Sequence, residues 1–470
     1  MSFAPFVGSL ALASVLAACG PTAQTSDKKN TNLASLTATD TSPDSSGLIT
    51  PRGERTKGDS KAGWASVDAD AMIAIASFAD AYLGYVQTAR TTRQSTAALV
   101  AMATTAGAVP WSDAKQAKAG ELLYWQDATN GSLAFLKVGT ASADEGLAVL
   151  LASHDSALIR LTPNPIYERS GLALFDTSIM GTLHLESWLH TPLALSLYKA
   201  PATANDVAVD VILGDDANEP VFTIPDLLPH LSRKVQRTKL VDSPERLDVV
   251  AGFTAKALRT TLKRNGITED ALSGLEATLV PAGIATYVGV DKALIAGANH
   301  ASRAVPFAAM HALLAAEPTK STLVIFMGRD AQFYAGAGPE AHIANLLPKA
   351  VEALAQGADA LRFRRILAQT QVLMFDHTGG VRNQGVVLGT RRDDSSPSAF
   401  RRAIQLFADH KVGTQLLQTA GWSEAREIAS LDIDTIALGL PISGAGMPYE
   451  LLSTYDLFQA RQACLAWVSQ

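Results

Sequence analysis

Apolar residues return along this chain with two spacings. Over Val67 to Ala89 and Thr92 to Ala106 they recur every three or four positions, the period of a helix with one buried face. Ala304 to Ala316, Ile343 to Gln356 and Ser398 to His410 repeat that pattern. Between them stand short unbroken apolar runs, at Gly146 to Leu151, Thr322 to Met327, Gln371 to Phe375 and Thr435 to Leu440. A run of that length without polar alternation suits a strand covered on both faces. Strands and helices in alternation predict an α/β sheet flanked by helices. From Leu158 to Ala282 the rhythm changes to shorter, Pro-punctuated strands with turns such as Gly214-Asp215-Asp216, which predicts an inserted β-rich region. The N-terminus differs again. Phe3 to Ala18 is apolar and small, whereas Gly20 to about Gly63 is rich in Thr, Ser, Asp, Asn and Lys and has no hydrophobic period, as in a disordered tether.

The apolar run at the start is shorter than the roughly 20 residues that span a bilayer, which sets it apart from a transmembrane helix. It closes with Leu16-Ala17-Ala18-Cys19, which resembles the lipobox cut before a cysteine that receives lipid, although no Lys or Arg precedes the run. The expectation is a bacterial lipoprotein of the cell envelope, anchored at Cys19 on a periplasmic or outer-membrane face. The chain's 470 residues are ample for a buried core, and a net charge of -6 offers no basic footprint for nucleic acid. The two cysteines, Cys19 and Cys464, cannot build a disulfide framework or a four-cysteine metal site. Cys464 reads as a buried, inert thiol.

Longer blocks then carry a resemblance. Thr162-Pro163-Asn164-Pro165-Ile166-Tyr167-Glu168 is followed by Trp188 and Pro192-Leu193-Ala194-Leu195. Pro220 to Leu231 reads Pro-Val-Phe-Thr-Ile-Pro-Asp-Leu-Leu-Pro-His-Leu, and Val280-Pro281-Ala282-Gly283, Val288-Gly289-Val290-Asp291 and Pro448-Tyr449-Glu450 with Ser453 and Asp456 follow in order. Collinear over residues 66 to 470, these blocks resemble the bacterial branch of the aspartyl aminopeptidase (aminopeptidase I) family of two-zinc metallopeptidases. The resemblance implies a zinc-exopeptidase-like α/β/α sandwich with an inserted β-rich dimerisation or oligomerisation domain. The expected layout is a signal peptide at 1–18, a tether at 19–65, the α/β domain at 66–157 and 284–470, and the insertion at 158–283.

What the resemblance implies for chemistry is two zinc ions held by two His and three carboxylates, one of them bridging, with a Glu as general base. The bridge is essential, because two dications 3.5 to 4 Å apart repel by about 18 kcal/mol at an effective dielectric near 20. In this chain the bridging position falls on Ala301, the first His on Ser153, a glutamate position on Ala331 and the last His on Gly446. None of those side chains ligates zinc. Asp376 is the one ligand position kept, and Asp155, Asp330 and His230 stand at other functional positions, His230 at one that reaches a neighbouring subunit's site. His154 and His300 each lie one place from a lost ligand and are candidates for displaced ligands, but adjacent strand positions face opposite ways.

Outside those blocks, His184, Glu186 and His190 share parity and would share one face of an extended strand, a weak metal candidate that Trp188 interrupts. Gly336-Ala337-Gly338 and Gly379-Gly380 read as turns, and Arg391-Arg392-Asp393-Asp394 as a solvated loop. No GxSxG, HExxH or P-loop occurs. The reading that follows is a lipid-anchored, catalytically inactive binding or assembly scaffold without a cofactor, homo-oligomeric through the insertion and open to a peptide ligand. The alternative is a metal-dependent aminopeptidase releasing N-terminal acidic residues, with zinc on a rearranged set of His154, His300, Asp330, Asp376 and His377.

Overall fold

The computed structural model describes residues 63, 67–113, 117–127, 131–199, 209–216, 218–225, 247–268, 272, 275–328, 338–389, 397–417, 428, 431 and 433–470. Cys19, His230, Asp330, Ala331, Arg391 to Asp394 and almost all of the expected leader and tether lie outside these residues.

Two helices open the described chain, α1 at Ala69–Thr88 and α2 at Thr92–Thr105. Asp68 caps α1 by accepting from Ala71 N at 2.8 Å, and Thr91 and Gln94 form a reciprocal capping box on α2, satisfying amides that a helix start leaves unpaired. Strands β1 at Val109–Pro110, β2 at Leu122–Gln126, β3 at Leu133–Lys137 and β4 at Ala148–Ser153 follow. A β-rich stretch then contributes β5 at Leu158–Arg169, β6 at Leu172–Met180, β7 at Leu193–Lys199, β8 at Val209–Leu213, β9 at Val249–Gly252, α3 at Ala255–Arg264 and β10 at Glu276–Pro281. The rest of the chain is β11 at Thr286–Val288, β12 at Leu294–Gly297, α4 at His300–Ala315, β13 at Thr322–Met327, α5 at Pro339–Leu354 and α6 at Ala360–Gln369. It closes with β14 at Gln371–Thr378, β15 at Val386–Gly389, α7 at Pro397–Asp409, β16 at Thr414–Leu417, β17 at Asp434–Ser443, β18 at Glu450–Ser453 and α8 at Thr454–Val468.

The larger sheet, of twelve strands among the described residues, has β13, β4, β14 and β17 side by side and parallel. These are the four continuous apolar runs of the sequence. β13 is buried along its whole length, because one face meets α4, α8 and the first two helices and the other meets α5 and α6. That is an α/β/α sandwich. The register Met327↔Ser153 and Phe375↔Ala152 brings the C-terminal ends of β13, β4 and β14 level, and β17 continues alongside with Gly439 opposite Asp376. In open parallel sheets those ends are where loops build ligand sites.

The second sheet has six strands in the order β8-β7-β10-β5-β6-β9, antiparallel in every pairing, and its apolar face packs with Trp188 and Leu258 and Leu262 of α3. Pro163 and Pro165 are tolerated inside β5 because the β5–β6 register slips between Leu161 and Ile166, where no ladder bond is demanded of them. Arg93 ties the sheet to α2, pairing with Asp210 at 2.7 Å and lying 4.0 Å over the Tyr198 ring.

Two sequence readings need correcting. The helix read as Ala304 to Ala316 begins at His300, because Asn299 adopts a left-handed φ of 63° that turns the chain directly into α4. His184, Glu186 and His190 do not share a strand face, since Leu185–Trp188 is a short 3-10 turn and His190 has φ 58°.

Candidate functional site

A cleft of 230 Å³ opens at the C-terminal ends of β4, β13 and β14, where the two sheets meet. Its wall includes Ser153, Asp155, Ala301, Asp376, His377 and Glu450, together with Trp188 and the turn from Ala445 to Met447. The strand ends named by the sequence therefore do converge.

Asp376 extends from β14 and is buried, with 7% of its surface exposed. Its Oδ1 accepts both from His377 N at 2.7 Å and, in a ring contact of 3.0 Å, from His377 Nδ1. Asp155 is held by the Thr92 hydroxyl at 2.7 Å and by Ser156 N at 2.9 Å, so the start of α2 fixes its carboxylate. Beside it the Ser156 and Ser302 hydroxyls meet at 2.6 Å.

Glu450 was read in the sequence only as part of a family block, and the structure makes it the floor of the cleft. Its Oε2 accepts from Ala301 N at 2.9 Å and its Oε1 from Gly446 N at 2.9 Å. These are the amides of two of the positions at which the resemblance expects zinc ligands. Asn299 gives α4 no side-chain cap, and the carboxylate of Glu450 takes over that task at a helix end that favours negative charge. Burial pushes this carboxyl up to about 7, against the opposing pull of the two amides.

The turn at Gly446 has been built around the absence of a side chain. Its φ is +79°, and a Cβ there would stand 2.6 Å from Thr182 O. Its carbonyl accepts from His184 N at 3.1 Å and from the Trp188 indole at 2.9 Å, so the second sheet closes directly onto this turn. A histidine at 446 would require this turn or the Thr182 segment to move.

His154 and His300 are not brought to the cleft. The chain leaves β4 with His154 N donating to Met327 O at 2.9 Å, and the fully buried ring turns inward to meet the Thr96 hydroxyl at 3.1 Å and stack on Phe326. His300, the first residue of α4, places Nδ1 2.8 Å from the Tyr82 hydroxyl, also fully buried. Burial pulls the His300 imidazole down to about 3; burial first, and then the Arg303 charge, drives His154 well below its ordinary value. Arg303 is itself fully buried and donates to Ala89 O at 2.8 Å and His154 O at 2.7 Å, its own pKa lowered by that burial.

The residues present do not fit the family's two-zinc site. Ser153, Ala301 and Gly446 offer no ligand of the kind required, both oxygens of Glu450 are engaged by amides, and among the described residues no group of three or more His, Cys, Asp and Glu side chains is placed to hold a metal ion. Asp330 and Ala331 follow β13 outside the described residues. Cys464 is buried in α8, its thiol pushed up by that burial.

Comparison with known proteins accounts for this architecture. The chain is 27% identical over 283 residues to a probable M18 family aminopeptidase 1 of Borrelia garinii subsp. bavariensis, a match covering 57% of this chain and 61% of that protein. The chain thus spans about three-fifths of the length of the first curated relatives it matches. A probable M18 family aminopeptidase 1 of Thermotoga maritima matches over 431 residues at 27% identity, 82% of this chain and 94% of the relative. The crystal structure of an M18 family aminopeptidase from Thermotoga maritima superposes with a TM-score of 0.78 at 24% identity, over 87% of this chain and 99% of that one. The S. cerevisiae mApe1 dodecamer does so with a TM-score of 0.65 at 17% identity, over 83% and 95%. A profile described as aminopeptidase I zinc metalloprotease (M18) matches residues 85–327, just over half of the chain, and the protein belongs to that family.

Proposed function

We propose that this family member binds a small peptide-like ligand in its cleft and does not carry out two-zinc hydrolysis there. The turn at Gly446 carries the reading. A lost histidine alone is one substitution, but here the backbone is left-handed, Thr182 O lies 2.6 Å from where a Cβ would stand, and Glu450 engages the amides of Gly446 and Ala301. Restoring a ligand would mean undoing a packed arrangement. Cys19 as a lipid anchor, residues 19–65 as a tether, an inserted domain at 158–283 and self-association through it complete the proposal. The yeast relative's dodecameric assembly supports the last point.

Family membership favours a second reading, a metal-dependent aminopeptidase. It would draw on Asp376 and His377 and on Asp330. Zinc content of the full chain after equilibration with micromolar zinc, measured beside hydrolysis of aspartyl, glutamyl and leucyl anilides, separates the two. Substoichiometric zinc without turnover is the expected result; one or two zinc ions per chain with turnover that Asp376→Ala abolishes would establish the second reading.

A further inference from the structure

The large sheet has a second cavity at the end opposite the cleft, and a buried cation lines it. Lys137 is the last residue of β3 and stands opposite Thr322, the first residue of β13, whereas Met327 at the other end of β13 lines the cleft. The length of the strand, about 17 Å, separates the two places. Beside Lys137 a cavity of 320 Å³ is bounded by the turn after α2, the start of β2 and the last turn of α4. Gly107 and Gly120 in that wall have φ of 90° and 86°, and a Cβ at either would meet nothing within 4 Å, so neither turn narrows the opening. Lys137 is only 8% exposed, yet among the described residues its ammonium has one acceptor for three hydrogens, Leu313 O at a long 3.3 Å. Among the described residues no carboxylate pairs with it, and Glu121, the acidic residue of the wall, instead accepts from Lys118 N at 2.9 Å. Nor does α2 call on the ammonium, because its own turn closes its end, with Ala106 N donating to Met102 O, Gly107 N to Thr104 O and Ala108 N to Ala103 O. A buried charge without a counter-charge is costly unless one arrives from outside.

We propose that this cavity binds a small aliphatic monocarboxylate, with its carboxylate on Lys137 Nζ and its hydrocarbon end against Val109, Leu122 and Leu314. Charge-assisted hydrogen bonds from the ammonium supply affinity. The number of charges on the ligand is set by the surroundings. α2 and α4 both end at the cavity, so the negative ends of two helix dipoles face it, and Glu121 adds a further negative charge. One ammonium matches one negative charge on the ligand in that field, and a second would be repelled, which selects a carboxylate over phosphate. The volume of 320 Å³ stands at the small end of those that hold organic ligands, and the apolar part of the wall suits a short branched chain. Neither the cleft nor a metal takes part, whichever reading of the cleft holds.

The test uses the full chain and three probes, isovalerate, its neutral amide isovaleramide and inorganic phosphate, with binding read by ligand-observed NMR and by the rise in thermal midpoint. Isovalerate is expected to bind at least about ten-fold more tightly than either of the others, and Lys137→Met, which keeps the stem and removes the charge, to abolish that preference. The acid and its amide are compared on the unaltered protein, so the result does not depend on how a variant folds. Val109→Glu, at a position 43% exposed, provides a second variant and is expected to weaken isovalerate while sparing the amide. Equal binding of acid and amide, tighter binding of phosphate, or a preference that survives in folded Lys137→Met would overturn the carboxylate assignment. Failure of all three probes to bind would reduce Lys137 to a cap on the last turn of α4 and overturn the site itself.

Discussion

Two layers of the molecule are separated by a single step along the chain at β4 and at the start of α4. The cleft side presents Ser153 and Ala301; the inner side holds His154 and His300, with Tyr82 and Arg303 around them. The layers have the opposite chemistry from that expected of a zinc peptidase, with the imidazoles inside the protein and small side chains on the cleft. The difference teaches that a histidine beside a lost ligand has not moved over to replace it. Each inner histidine has a fixed partner, a lowered pKa and no path to the cleft without breaking a buried hydrogen bond.

The sharpest way to break the comparison is at Arg303, which bridges the layers. Its guanidinium satisfies the carbonyls of Ala89 and His154, at the end of α1 and the end of β4. Arg303→Met leaves those carbonyls buried and unpaired, and a loss of about 3 to 5 kcal/mol in urea denaturation is expected. A loss below about 1 kcal/mol would show that the inner layer does not depend on this cation.

Asp456 tests the outer layer through pH. It accepts from Asn383 N at 2.9 Å and Gly385 N at 2.7 Å in the segment that follows Asp376 and His377, and burial raises its carboxyl from the ordinary 3.8 to about 7. A raised carboxyl means that the folded state holds the proton more tightly. Its contribution is therefore full below about pH 4, is lost as pH rises to about 7, and is flat beyond. The stability of the native protein relative to Asp456→Asn should fall by about 3 to 4 kcal/mol over that window. His154 and His300 act in the other direction, stabilising above pH 6.5 and losing that contribution as pH falls, but both proteins share them and the difference cancels their effect. A difference that rises with pH would refute the assignment.

A smaller effect is expected at Gly446. Ala at this position meets both the left-handed φ and the Thr182 carbonyl, and a cost of about 2 kcal/mol in thermal or urea unfolding is expected, together with a change in Trp188 fluorescence because its indole donates to the Gly446 carbonyl. A neutral outcome would mean that the turn can still accept a side chain, which would weaken the case against a zinc ligand there.

Much of this fold is written in simple periodicity. The four apolar runs became the four parallel strands, because a strand buried on both faces has no polar position to spare. The collinear blocks identified the family because they span both sheets. The site was less legible. Ser153, Ala301 and Gly446 could be recognised as non-ligands from their chemistry alone, but the role of Glu450 depends on amides 149 and 4 residues away, which no local pattern encodes. The glycine at 446 gave no hint of its positive φ, and the parity of His184, Glu186 and His190 misled because parity has meaning only on a strand.

The last and smallest effect separates the layers directly. His300→Leu keeps most of the ring's volume but leaves the Tyr82 hydroxyl, buried and hydrogen-bonded to Nδ1, without that partner. A cost of about 1 to 2 kcal/mol is expected, the usual penalty for one orphaned buried hydroxyl. The informative quantity is zinc. If His300 serves only Tyr82 and the packing of α1 on α4, zinc content stays at its native value while stability falls. If zinc content drops in proportion, the ring must leave Tyr82 to reach the cleft, and the separation of the two layers would be a property of the metal-free state alone.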